Sequence, residues 1–261
     1  MSDWMHNLPV VWMALVVFGF TYLVTVAIYV VVMVLAVGER ARSFKAVSPG
    51  MLPPLGIIFG LLVGFTAAQV WSDNDRASAA VDREASALRS VVILAAAFPG
   101  EPETRLRALV SSYIAEAAAQ EWPMMIHRTL TLQIAPRALA EALQLTLALE
   151  STGLGQQIAQ REITAALESA MDARRQRIRI SQSQVNWVKW SSLYLQAACA
   201  LAMVHSDNRL ASAITMGLFA TGVAASALLI AAYDRPFIGE ISVGPGPLLQ
   251  VIPSVEGHQV K

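Results

Sequence analysis

The stretch 48-SPGMLPPLGIIFGLLVGFTAAQVW-71 decides the fold. No Asp, Glu, Lys or Arg lies between Lys45 and Asp73. That is long enough to cross a hydrocarbon core about 30 Å thick. Pro49, Pro53 and Pro54 stand at its start. Proline suits the first turn of a helix and not its interior, so the regular helix is expected to begin near Pro54. Two stripes then climb it. Gly56, Gly60 and Gly64 repeat every four residues, and Ile57, Leu61 and Phe65 repeat at the same spacing, one step round. Residues four apart share a helix face. The glycine stripe is expected to act as a helix-packing seam, because small residues let membrane helices approach closely. The Ile/Leu/Phe stripe has two readings. It is a lipid-facing or core stripe, or it is an apolar ring around a symmetric pore that gates by dewetting. Helical spacing alone fits both.

Working outward, the composition is that of a membrane protein. Of 261 residues, 55% are hydrophobic and 15% charged, with a mean hydropathy of +0.50. The formal net charge is zero, so nothing points to nucleic acid. Cys199 is the single cysteine, which excludes an intrachain disulfide. His6, His127, His205 and His258 are scattered and are read as loop or surface residues, so no metal site or cofactor is expected.

The first apolar run, Val10 to Gly38, is too long for a signal-peptide core and lacks a basic leader. It is read as a retained, tilted first span, with Trp4 and Trp12 at its interface. Residues 39–50 are expected to form a short connection. After the second span the chain turns polar but stays helix-prone. Val81, Leu88, Val92 and Ala95 keep a helical period, so one long amphipathic helix is expected to reach Phe98 and stop at Pro99-Gly100. Further helices are expected over Glu103–Glu121, ending at Trp122-Pro123, over Pro136–Glu150, and from about Gln156. From Ser72 to Asn186 there are 12 Arg, no Lys and 13 Asp plus Glu, a balanced solvated domain.

Arg174, Arg175, Arg177 and Arg179 precede the next apolar run, Trp190–Ser206. They read as a basic collar beside a membrane span, as an anionic-lipid site, or as an electropositive vestibule. His205 to Arg209 makes a short turn, within which Ser206, Asp207 and Asn208 are good N-cap types. The fourth run, Leu210–Tyr233, is rich in small residues such as Ala213, Gly217, Ala220 and Gly222. The expected fold is therefore an all-α membrane protein. It has spans at about 10–38 and 51–71, a helical domain over 72–186, spans at about 190–206 and 210–233, and a tail over 234–261. Basic residues near the span ends favour a cytoplasmic domain and cytoplasmic termini, although Arg40, Arg42 and Lys45 argue the other way.

Two motifs carry a resemblance. In GIIFGLLVGFTAAQVWSDNDRASAAVDREASALRS, an apolar neck precedes Gly64-Phe65 and a polar, Arg-containing helix follows. Arg235-Pro236-Phe237-Ile238-Gly239 follows the fourth run. Together with the span order, these resemble the bestrophins, and more specifically their bacterial bestrophin-like relatives. The resemblance implies an ion channel of the bacterial inner membrane. It implies a homopentamer with Ile57, Leu61 and Phe65 as the pore neck, Pro236, Phe237 and Gly239 as the post-span-4 motif, and small inorganic ions, chloride above all, as permeant species. Calcium-gated members carry an acidic cluster after that motif. Here the run Glu240-Ile-Ser-Val-Gly-Pro carries one carboxylate, so a calcium clasp is not expected.

No span carries a buried Asp, Glu, Lys or Arg as a proton relay. Selectivity is then expected from charges at the pore mouth, Asp73, Asp75 and Arg76. The competing reading is a non-conducting, membrane-anchored scaffold or sensor acting through residues 72–186. No enzyme is expected: the chain shows no catalytic triad pattern, phosphate loop or paired carboxylates on one face.

Overall fold

The computed structural model describes residues 8–35, 39–132, 136–204 and 208–251, and for residues 39–49 the backbone alone. Trp4, the turn residues His205 to Asp207, the tail beyond 251 and the side chains of Arg40, Arg42 and Lys45 lie outside the described residues. The described chain is helical, with no strand: α1 (Val10–Leu35), α2 (Glu39–Leu94), a 3-10 turn (Ala95–Ala97), α3 (Glu101–Glu116), a π turn (Ala117–Glu121), α4 (Trp122–Ile126), α5 (Arg137–Leu147), α6 (Leu154–Ser181), α7 (Trp187–Ala202), α8 (Arg209–Tyr233) and α9 (Gly246–Leu249). It divides into two compact units, residues 1–72 with 184–241, and residues 73–183 with 242–261.

Two expected boundaries are corrected. Residues 39–50 are helical, so α2 starts at Glu39 and not near Pro54. Proline already holds the helical φ, and apolar spans tolerate its missing N–H because freed carbonyls find other partners. The helix expected to stop at Trp122-Pro123 instead passes through a π turn into α4. The ring of Pro123 crowds the carbonyl four residues upstream, and the wider turn relieves that clash without ending the helix.

In the first unit, α1 turns Met13, Val17, Thr21, Thr25 and Val32 inward, a stripe of helical spacing. It meets the small-residue face of α8, where Ala220, Ala224, Ala227 and Ala231 are buried. Small side chains allow this close approach. Thr21 and Thr25 donate to the carbonyls of Val17 and Thr21 at 2.8 Å, which satisfies their hydroxyls inside an apolar layer. The Tyr22 hydroxyl and Thr221 Oγ1 lie 2.7 Å apart. Phe59 and Val70 of α2 join Met13, Val17, Leu193, Val223, Ala227 and Ile230 in one core. Asn186 and Asn208 cap α7 and α8, their side chains accepting from Val188 N–H at 3.3 Å and Leu210 N–H at 2.9 Å.

Three described helices are long and apolar enough to cross a bilayer: α1, the part of α2 from Gly50, and α8. The third expected span is α7, which has 16 residues. That gives it a length of about 24 Å, short of a hydrocarbon core.

In the second unit, α2 contributes Ala77, Ala80, Val81, Leu88 and Val91, α3 Leu106 and Val110, α5 Leu139 and Ala142, and α6 Ile163, Leu167 and Ala170. The expected period on α2 is present, with Val91 fully buried and Val92 half-buried. The Trp122 indole N–H donates to Val243 O at 3.2 Å, which ties the chain after residue 241 into this unit.

Candidate functional site: the apolar stripe of α2 and a buried ion-pair cluster

The α2 stripe is uncovered within one chain. Ile57, Leu61 and Phe65 are 65%, 54% and 73% exposed. A methyl group added to Gly56, Gly60 or Gly64 would meet no atom beyond the helix's own backbone within 4 Å. The packed face of the same segment carries Phe59, Leu62, Val63 and Val70. At 100° per residue that face lies opposite Ile57, Leu61 and Phe65. The helix thus has one face committed to its own chain and one large apolar face left open.

Further along α2, Arg76 lies 3.5 Å from Asp73, and Asp75 is exposed. In the segment after α8, Asp234, Arg235, Pro236, Phe237 and Ile238 are all buried. Gly239 has φ +97°, a left-handed conformation that glycine adopts without strain. The Asp234 carboxylate accepts from Val185 N–H. Glu240, the carboxylate directly after the motif, accepts from Val10 N–H at 3.2 Å. It thereby sits at the positive end of α1. Among the described residues no cluster of His, Cys, Asp and Glu could hold a metal ion.

The four arginines of the expected collar separate. Arg175 and Arg179 are exposed, whereas Arg174 and Arg177 are buried in the core of the second unit. Arg177 Nε donates to Glu84 Oε2 at 2.8 Å, and its Nη2 reaches Glu84 Oε1 at 3.1 Å and Glu121 Oε2 at 2.8 Å. Arg174 Nε donates to Glu121 Oε1 at 2.7 Å. Tyr113 donates its hydroxyl proton to Glu84, and the Arg177 guanidinium lies 4.3 Å from the Trp122 ring centroid. Two carboxylates thus balance two guanidiniums in a dry setting. Burial pushes Arg177 towards the neutral form, and the charge of Glu84 more than offsets it, holding the guanidinium above its ordinary range. Burial, reinforced by the charge of Glu84, raises the Tyr113 hydroxyl well above its ordinary 10.0.

The reading of the sequence missed this cluster, although the signal was there. Glu84 falls between Val81 and Leu88 on the apolar stripe of α2. Arg174 and Arg177 continue the Ile163, Leu167, Ala170 stripe of α6. A charge on an apolar stripe needs a buried counter-charge.

An all-helical chain with several helices apolar enough to span a bilayer, and a second helical unit built on buried ion pairs, belongs to the polytopic membrane class. The chain is a member of the Bestrophin-like family, whose domain matches residues 9–248. Its fold is similar to two crystal structures of single-substitution variants of a bacterial bestrophin homolog from Klebsiella pneumoniae. One is 12% identical, with a TM-score of 0.66 over 88% of this chain and 97% of that one. The other is 13% identical, with a TM-score of 0.66 over 90% and 96%. No curated protein sequence matches the chain.

Proposed function

We propose that the protein is an oligomeric, anion-conducting channel of the bacterial inner membrane. Its gate is the apolar neck made by Ile57, Leu61 and Phe65 from symmetry-related copies of α2. The observation that carries this reading is the open face of α2. Three large apolar side chains at one helical spacing stand uncovered, flanked by glycines with free space above them. Copies of that face around an axis form a dry ring, and such a constriction gates by dewetting. Family membership supports the channel class, and a pentamer is the assembly that the bestrophin resemblance implies.

In this reading α1, the apolar part of α2, α7 and α8 make four passes. The unit containing α3 to α6 and the termini are cytoplasmic, and Asp73, Asp75 and Arg76 stand at the pore mouth. The glycine seam packs against the neighbouring copy. Phe237 anchors the segment after α8 from within the core of its own chain, where it is 3% exposed.

The test is conductance of reconstituted protein under a chloride gradient. Wild type is expected to conduct with a reversal potential on the chloride side, and Leu61→Ala to raise conductance several-fold. Unchanged conductance in Leu61→Ala would remove the neck assignment. A reversal potential on the cation side would hand selectivity to Asp75. Ion-tight liposomes carrying intact oligomers would favour the scaffold reading.

A further inference from the structure

We propose that Asp82 and Arg89 are selectivity-determining residues of the channel. They face the axis that the neck faces. Copies of Asp82 form a ring that favours cations, and copies of Arg89 form a ring that favours anions. The inference rests on the channel reading and adds to it the residues that choose the ion.

The observation is a second open stripe on α2. Asp75, Ala79, Asp82, Ser86, Arg89 and Ile93 are exposed, and they recur at alternating steps of four and three residues. Between them Ala77, Val81, Leu88 and Val91 are buried. α2 is one uninterrupted helix from Glu39 to Leu94. At 100° per residue the stripe falls within about 40° of Ile57 round the helix, and the buried set falls on the opposite side. The side of α2 that stands open at the neck is therefore the side that stands open here.

Asp75, Asp82 and Arg89 carry the charges of this stripe, each seven positions beyond the last. None of the three makes a hydrogen bond or ion pair among the described residues. Their neighbours are engaged. Arg76 lies 3.5 Å from Asp73, Arg83 Nη1 donates to Gln176 Oε1 at 3.1 Å, and Glu84 is held by Arg177. The field of an ion pair largely cancels at a distance, whereas an unpaired charge keeps its own. Seven residues are about 10.5 Å of helix, longer than the Debye length of about 8 Å at physiological salt. Each ring therefore acts on a passing ion in turn. Every copy adds a like charge at the same level, and walls of low dielectric focus the field. Rings of carboxylates admit cations and rings of arginine admit anions. The neck supplies no such choice, since Ile57, Leu61 and Phe65 are uncharged. An anion moving along α2 towards the neck meets Arg89 first, then Asp82 and Asp75. Arg89 concentrates anions, and Asp82 works against them.

The full chain is reconstituted into liposomes, and the chloride-to-potassium permeability ratio is read from the reversal potential under a potassium chloride gradient. Arg89→Gln should lower the ratio about threefold and Asp82→Asn should raise it about threefold. Arg161→Gln, at an exposed arginine of α6 in the same unit, should leave it unchanged. Both shifts should shrink in concentrated salt, since the Debye length falls to about 3 Å at 1 M. A shift that ignores salt comes from altered structure and overturns the charge assignment. Unshifted ratios in a conducting protein overturn the selectivity role alone and leave the channel reading standing. Placement on the axis is read without conduction. In a Cys199→Ser background, spin labels on Ser86→Cys should lie closer between copies than labels on Arg161→Cys, measured by double electron–electron resonance on the detergent-solubilised oligomer. A longer distance at residue 86 overturns the proposal, because the stripe then faces outward. Ion-tight liposomes with short distances at residue 86 overturn the selectivity role together with the channel reading.

Discussion

At the scale of single residues, Glu84, Glu121, Arg174 and Arg177 hold the second unit together through mutual need. Each is buried, so each depends on its opposite charge. Removing one partner of such a set costs about 3–5 kcal/mol, because the other is left charged in a dry core. Glu84→Gln, which keeps the shape and removes the charge, should lower the melting temperature of the detergent-solubilised protein. Arg175→Gln, on the exposed side of the same helix, should leave it within error. Equal effects would mean that the cluster is no more than surface charge. Tyr113 makes a pH prediction. Folded, it keeps its proton above 10.0, where the unfolded chain releases it. The unfolded state then binds fewer protons, so stability is fully present below pH 10.0 and falls as pH rises beyond it. The slope is about 1.4 kcal/mol per pH unit up to the folded pKa. Thermal melts of Tyr113→Phe should be flatter than wild type in that alkaline window. What could be read at this scale was uneven. The Ile57, Leu61 and Phe65 stripe follows from helical spacing, whereas its reading as a neck comes from the bestrophin resemblance. The ion cluster joins residues up to 93 positions apart, and adjacency in sequence suggested a collar instead: Arg174, Arg175, Arg177 and Arg179 look alike in a row and differ only in which side of α6 they occupy.

At the scale of elements, α2 is the clearest success and the clearest correction. Its apolar middle and amphipathic continuation were legible because a charge-free run and a helical period are both local signals. Its start was not, because three prolines read as a boundary in water and are compatible with a helix in an apolar setting. The π turn before Trp122 was equally hidden, since a proline announces a disturbance of the ladder without saying whether the helix ends or widens. The glycine stripe yields a test at this level. Within one chain a methyl group at Gly60 has free space, and alanine favours a helix over glycine by about 1 kcal/mol. Gly60→Ala should therefore leave the helical content unchanged while loosening the assembly, read as a fall in oligomer mass on dilution in detergent. An assembly as tight as wild type would take the seam out of the subunit contact.

At the scale of the whole molecule, the family could be read from about fifty residues of motif, whereas α7 could not be measured as a span from its hydropathy. Orientation is open to a direct experiment. In a Cys199→Ser background, Glu150→Cys in the helical unit should react with a membrane-impermeant thiol reagent only after cells are permeabilised. Labelling in intact cells would reverse the topology. The division of the chain carries a consequence for biosynthesis. The first unit is discontinuous, with residues 73–183 inserted between its halves. Translation therefore delivers α1 and α2 long before α7 and α8 exist. During that interval Met13, Val17, Phe59 and Val70 have no partners from the later helices, and Val10 waits for Glu240, almost the last residue of the unit to be made. A ribosome that stalls within the second unit leaves two helices in the membrane with their inner faces bare, a ready target for membrane quality control. The first unit is thus complete only once α8 and the segment to Glu240 have left the ribosome.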